Sequence, residues 1–363
     1  MARRPVATGI VVAAIAAAAI AGVRAEDPAA PPAPADADRL LHPDETHLRH
    51  LRQITFGGEN AEAYWSPDGK RLILQHRGDG VPCDQEFVVD VTTGVRNRVS
   101  TGKGRVTCGY FYDGGKRILY SSTHLDSPDC PPAPDFSKGY VWPLYKGYDI
   151  FTARDDGTDL RRLTDTPGYD AEATLSPDGK AVVFTSVRDG DLEVYTMDVD
   201  GRHVKRLTHE PGYDGGPFFS PDGKRIVWRR DAPKDEAALA RYRELLGQGL
   251  YSPGTLEICV MDRDGSKKRQ VTHLGAASFA PYFHPDGRRI IFSSNHPEPK
   301  GRNFDLWLVG DDGAGLERIT TDPSFDGFPM FSPDGTRLAF ASNRGGKVRG
   351  ETNVFVADWV EKP

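Results

Sequence analysis

Five carboxylates stand at fixed distances ahead of a recurring x-Pro-Asp-Gly turn. Glu62 and Glu172 lie four residues before the residue that opens the turn, and Asp170, Asp214 and Asp326 lie six before it. If the turns repeat one structural unit around an axis, these acids gather at one channel mouth. Oxygen ligands arranged in that way suit a hard cation such as Ca²⁺. The competing explanation is local: each aspartate satisfies backbone N–H groups of its own loop, and the repeat by itself accounts for the aspartates. No cofactor is expected, with Ca²⁺ in the channel as the one candidate. Asp-x-Asp-Gly stretches such as Asp198–Gly201 lack the distal glutamate of a calcium loop and read as hairpin turns.

Other reactive side chains are few. Cys83, Cys108, Cys130 and Cys259 form no Cys-x-x-Cys pair, so zinc or thiol redox chemistry is not indicated. Cys83–Cys130 and Cys108–Cys130 are the candidate disulfides, and Cys259 falls in an apolar strand as a free core thiol. His124 and His296 are the histidines placed in loops, and His284 stands where the repeat elsewhere has serine. No Gly-x-Ser-x-Gly elbow, His-Glu-x-x-His pair or phosphate loop occurs.

The elements that must position these residues are visible as a repeat. Trp65-Ser-Pro-Asp-Gly-Lys-Arg-Leu returns, with variation, from Leu175, Phe219, Phe283 and Phe331, and a degenerate copy begins at Phe111. Proline sets φ, aspartate bonds nearby backbone and glycine takes the positive φ, so the phrase is a tight turn. Runs apolar on both faces follow it, such as Val182-Val-Phe and Ile290-Ile-Phe, as in strands buried on both sides. A third strand and a short fourth, typified by Arg206-Leu-Thr, complete each copy. Four strands in six copies make an all-β fold, a six-bladed β-propeller of four-stranded blades. The steps between Lys70, Lys116, Lys180, Lys224, Arg288 and Thr336 are 46, 64, 44, 64 and 48 residues. The two long steps carry insertions.

The last copy has no Arg-Leu-Thr strand of its own, whereas Arg52-Gln-Ile-Thr55 precedes the first copy without a blade. The N-terminal strand is therefore expected to complete the last blade and close the ring, which removes open sheet edges. Both insertions, about 122–148 and 230–255, join second to third strands and so crowd one face. The first carries His124, Tyr140, Trp142 and Tyr145, and the second contains an amphipathic helix over 235–246. Long loops on a rigid scaffold are where binding usually resides.

These phrases resemble the TolB-type β-propeller family over about residues 46–360. The resemblance implies a periplasmic protein that partners other envelope proteins through its propeller. That family's namesakes also carry an N-terminal α/β domain, for which there is no room between Ala25 and the first strand. Similar propellers serve as accessory domains of envelope peptidases, and others are enzymes of the lyase or lactonase type.

The chain ends fit export. Arg3 and Arg4 precede an apolar run, and Val23-Arg24-Ala25 offers a cleavage site, so residues 1–25 read as a signal peptide. A Pro/Ala-rich linker over 26–45 and a propeller over 46–363 complete the domain plan. Without the leader the chain holds 43 basic and 52 acidic residues, net −9, which gives nucleic acid no basic face to bind. The expected protein is a periplasmic or secreted monomer, without a membrane span once the leader is cleaved. It binds a protein or peptide of the envelope through Glu62, Asp170, Glu172, Asp214, Asp326, His124, Tyr140, Trp142 and Tyr145. A propeller enzyme is the alternative.

Overall fold

A computed structural model describes residues 38–362. The expected signal peptide and most of the expected linker lie outside these residues. Six four-stranded antiparallel sheets surround a central axis, and in each the strands are neighbours in chain order apart from the closing strand. Blade 1 runs Glu59–Trp65, Arg71–Gly78, Val81–Asp90 and Arg96–Arg98. Blade 6 is Asp326–Phe331, Arg337–Ser342, Asn353–Trp359 and, as its outermost strand, Leu48–Gln53. The N-terminal strand thus closes the ring.

The repeat phrase folds as its residue types require. In the four Ser-Pro-Asp-Gly copies whose serine is Ser66, Ser176, Ser220 or Ser332, the serine hydroxyl donates to the aspartate at 2.5–2.6 Å. The same carboxylate accepts the backbone N–H two residues on, at 3.1 Å. At the copy where histidine replaces serine, His284 Nδ1 accepts the Asp286 N–H at 3.2 Å. The second strand of blade 3, Ala181–Ser186, is buried at every position, as a strand packed between two neighbours must be.

The short fourth strands work through one hydroxyl each. Thr164, Thr208, Thr272 and Thr320 accept the backbone N–H of Ile150, Val194, Ile258 and Leu306 at 2.8–2.9 Å. Thr55, contributed from the N-terminal end, accepts the N–H of Val354 at 2.8 Å. The closing strand therefore reproduces the bond that links third and fourth strands elsewhere.

Part of the expected linker belongs to the folded body. Asp38 accepts the Leu51 N–H at 3.0 Å, and Leu40 and Leu41 pack on the blade 6 core. Glu45 is buried and holds Arg344 through both carboxylate oxygens at 3.0 Å. Composition obscured this because one buried ion pair anchors a segment otherwise poor in apolar side chains.

The two insertions meet. Trp142–Pro143 pairs antiparallel with Leu250–Tyr251, forming a small seventh sheet between loops of blades 2 and 4. The expected helix spans Glu236–Gly247, with Asp235 capping it by accepting the Ala238 N–H at 2.8 Å. A disulfide joins Cys83 to Cys130, tying the first insertion to blade 1. Cys108 and Cys259 are free and buried, so the Cys108–Cys130 alternative does not form.

Candidate functional site

Each innermost strand carries a β-bulge at the same place. The bulged residue, four before the turn's opening residue, has left-handed backbone in all six blades. These are Glu62 (φ 53°), Cys108 (56°), Glu172 (57°), Gly216 (60°), Ala280 (49°) and Phe328 (56°). Left-handed backbone costs a non-glycine residue about 1–2 kcal/mol, so the fold upholds the conformation five times over. The bulge re-aims one side chain per blade toward the axis. At Gly216 a Cβ would lie 2.8 Å from a guanidinium nitrogen of Arg229, and this side chain from the blade 4 second strand fills the place the others' side chains occupy.

The bulges floor a cavity of about 840 Å³ under the joined insertions. Glu62, Cys108, Glu172 and Arg229 line its base, Tyr140 and Trp142 its insertion side, and Phe279, Phe304, Phe325 and Phe328 the wall of blades 5 and 6. Below it the axis is plugged by Tyr64, Tyr110, Phe218 and Tyr282, whose ring centres lie 5.5–6.4 Å apart. The site is thus a cup with a closed bottom.

Charge in the cup is unevenly satisfied. Glu172 accepts from the Thr185 hydroxyl at 2.7 Å, from the Gly216 N–H at 2.8 Å and from Tyr213 and Arg229. Arg229 also donates to Tyr213 and stacks over Trp142 and Tyr213. Glu62 has no such partner. It forms no ion pair among the described residues, and its Oε2 is shielded from solvent without a hydrogen-bond partner. Burial pushes its carboxyl up to about 7, against a hydrogen bond from Cys108 that lowers it. Burial also pushes the Cys108 thiol up, so this group stays protonated.

The five acids expected at one mouth divide into two sets. Glu62 and Glu172 reach the cavity. Asp170, Asp214 and Asp326 are buried away from its lining, each beside an arginine: Asp170–Arg188 at 3.0 Å, Asp214–Arg230 at 3.6 Å and Asp326–Arg344 at 2.6 Å. Asp214 also accepts the Trp228 indole N–H at 2.5 Å. Burial raises Asp214 and Asp326 to about 7 in spite of these cations. Neither the expected gathering of carboxylates nor purely local loop capping describes them. Among the described residues no group of three or more His, Cys, Asp or Glu is arranged to hold a metal ion.

The remaining expected residues also divide. Tyr140 is 68% exposed at the rim, its hydroxyl accepting the Trp142 indole N–H at 3.0 Å. Tyr145 lies off the cavity, bonding the Pro132 carbonyl under Arg105. His124 packs on Phe151 with ring centres 4.5 Å apart, and burial lowers its pKa. Arg229 and the phenylalanine wall were not foreseen. A signal for Arg229 existed: it is a cation inside a strand reading Ile226-Val-Trp-Arg, in the one blade whose bulge is glycine and on the strand paired with that bulge.

Comparison with known proteins places these features in context. A family model described as the TolB beta propeller domain matches residues 134–244 and 250–349. The Tol-Pal system protein TolB of Bordetella pertussis is 25% identical over 130 residues, 36% of this chain and 25% of that protein. The chain thus spans about a quarter of the length of the curated relatives it matches. Among solved structures, TolB from Acinetobacter baumannii superposes with a TM-score of 0.52 at 19% identity, covering 84% of this chain and 64% of the other. A gluconolactonase from Xanthomonas campestris superposes with a TM-score of 0.58 at 13% identity, covering 92% and 95%. Both likenesses show the propeller fold.

Proposed function

We propose, from the premise that the chain belongs to the TolB β-propeller domain family, that it is an exported propeller binding a protein or peptide partner of the cell envelope at its insertion-bearing face. One observation carries this proposal. The two long insertions, which a bare propeller does not need, join each other through Trp142–Pro143 and Leu250–Tyr251 at an aromatic cup. The same face exposes large apolar side chains, with Leu125 at 58%, Phe136 at 56% and Tyr140 at 68%. Exposed apolar groups on a pinned loop are the usual material of a binding site. Export places the protein in the periplasm or outside the cell.

Photo-crosslinking tests the proposal. A crosslinker at Tyr140 should capture a discrete envelope protein or peptide, and one at Pro177, on the opposite face, should not. Equal capture at the two positions, or none at Tyr140, argues against it.

A second function, proton transfer on a small substrate, is favoured by the unpaired Glu62 carboxyl poised near neutrality in a largely aromatic cavity. Turnover of a lactone or an oligogalacturonide that Glu62→Gln abolishes would establish it.

A further inference from the structure

We infer that the axial cup takes a primary ammonium group carried on an apolar or aromatic body, with Glu62 as its counter-ion. This deepens the partner-binding proposal and rests on it, since it names the chemical group the partner or ligand would present.

The cup leaves one of its charged groups unsatisfied. Arg229 and Glu172 neutralise each other and fill each other's hydrogen-bonding positions with help from Thr185, Tyr213 and the Gly216 N–H. Glu62 projects from its bulge into the same space with one oxygen unpartnered. A buried carboxylate without a cation is costly, and an incoming ammonium removes that cost by supplying both charge and N–H donors.

The wall chemistry points the same way. Phe279 sits at the centre of an aromatic group, with Phe304, Phe328 and Phe325 ring centres at 5.2, 5.4 and 6.4 Å. Among the described residues, no side-chain cation lies over Phe279, Phe325 or Phe328, whereas Trp142 and Tyr213 already carry Arg229. Open aromatic faces beside an unpaired carboxylate attract a cation and shelter the apolar body that carries it. An anionic ligand would meet two carboxyls at the floor, with Arg229 already committed. Arg302 at the exposed rim is the cavity's other cation and disfavours an ammonium held high in the cup.

The groups acting on Glu62 come from blades 1 to 4. They are Cys108 of blade 2, Glu172 of blade 3, Arg229 of blade 4, and Tyr64, Asp84 and Glu86 of blade 1. Arg229 is the one cation among them, and it is already matched by Glu172. Glu62 is therefore the group whose ionisation sets whether an ammonium is welcome, and burial holds it near half ionised at neutral pH.

Calorimetry on the purified protein tests this with phenethylamine against phenethyl alcohol, which has the same body without the charge. The amine should bind at least tenfold tighter at pH 8. Its affinity should fall about tenfold from pH 8 to pH 6 as a carboxyl with pKa about 7 takes its proton. Glu62→Gln should reduce the amine to the affinity of the alcohol and remove the pH dependence. Equal binding of amine and alcohol, or an unchanged amine affinity in Glu62→Gln, overturns the inference. The comparison of the two ligands on the unsubstituted protein stands even if the variant fails to fold.

Phenylalaninamide and Nα-acetyl-lysine methylamide separate the sources. Preference for the first supports a chain N-terminus, preference for the second a lysine side chain, and binding of phenethylamine alone a small amine. Failure is separable from that of the parent proposal. Amine binding without crosslinking at Tyr140 sinks the protein partner only. A crosslinked partner that is indifferent to saturating phenethylamine and to Glu62→Gln sinks the ammonium only.

Discussion

Glu62 combines two costs at one residue, a left-handed backbone at φ 53° and a carboxyl held out of water without a cation. The second cost depends on pH, and its sign follows from the direction of the shift. Burial raises the folded pKa from 4.5 to about 7, so the fold holds the proton more tightly than the unfolded chain does. The stability tied to this group is fully present below about pH 4.5 and is lost as pH climbs through about 7. Glu62→Gln has no proton to lose. Its melting temperature should match the parent near pH 4 and exceed it at pH 8, by roughly 2–4 °C for each kcal/mol recovered. Asp214 and Asp326 titrate in the same window, so the test is the difference between variant and parent. The same offset at both pH values would mean the carboxyl's charge is not the cause. Glu62 was legible from its place in the repeat. Arg229 was not, because the side chain that matters at that bulge comes from the next strand over.

Among the elements, the fourth strands carry the most consequence per residue. They are two or three residues long in blades 1 to 5, so one hydroxyl, from threonine in blades 2 to 5 and from Ser100 in blade 1, does much of the joining. Thr55 and Thr208 make the same bond in the closing strand and in an ordinary blade, at 2.8 Å each. Replacing either by valine keeps the volume and leaves a buried N–H unpaired, a loss of about 1–3 kcal/mol. Urea unfolding should therefore show losses for Thr55→Val and Thr208→Val that agree within about 1 kcal/mol. A negligible effect of Thr55→Val beside a large one for Thr208→Val would show that the N-terminal strand is only loosely held. This element was readable in advance because Arg162-Leu-Thr, Arg206-Leu-Thr, Gln270-Val-Thr and Arg318-Ile-Thr recur with the blades and Arg52-Gln-Ile-Thr55 stands ahead of the first. The pairing of Trp142–Pro143 with Leu250–Tyr251 was not, since two residues on each side, about a hundred apart in the chain, belong to no repeat. The segment 38–45 escaped for a related reason: its anchor, Glu45 on Arg344, is one ion pair with no periodic signature.

For the molecule as a whole, ring closure decides whether six blades act as one body. Blade 6 meets blade 1 through side chains as well as through the chain that runs from the closing strand into blade 1. Arg337 stacks over Trp65 at 4.5 Å and donates to the Gly69 carbonyl at 2.6 Å, and the Trp65 indole donates to the Met330 carbonyl at 3.1 Å. The N-terminal strand adds Leu48 and Leu51 to the core that holds Phe331, Leu338, Phe355 and Trp359. Burying those two leucines is worth about 3–6 kcal/mol, which at roughly 2 °C per kcal/mol sets the scale of a truncation. A chain starting at Asp38 keeps every described contact and is the reference for the truncation. A chain starting at Phe56 should melt at least about 6 °C lower. It also exposes the edge of Asn353–Trp359, and an unpaired edge recruits other chains, so it should elute as oligomers in size-exclusion chromatography. A synthetic peptide covering residues 46–55 should restore both the parent's elution volume and its melting temperature by refilling that edge. If the Phe56 chain elutes with the parent and melts within a degree or two of it, closure rests on the Arg337–Trp65 contact between blades, and the N-terminal strand is a cover and not the clasp.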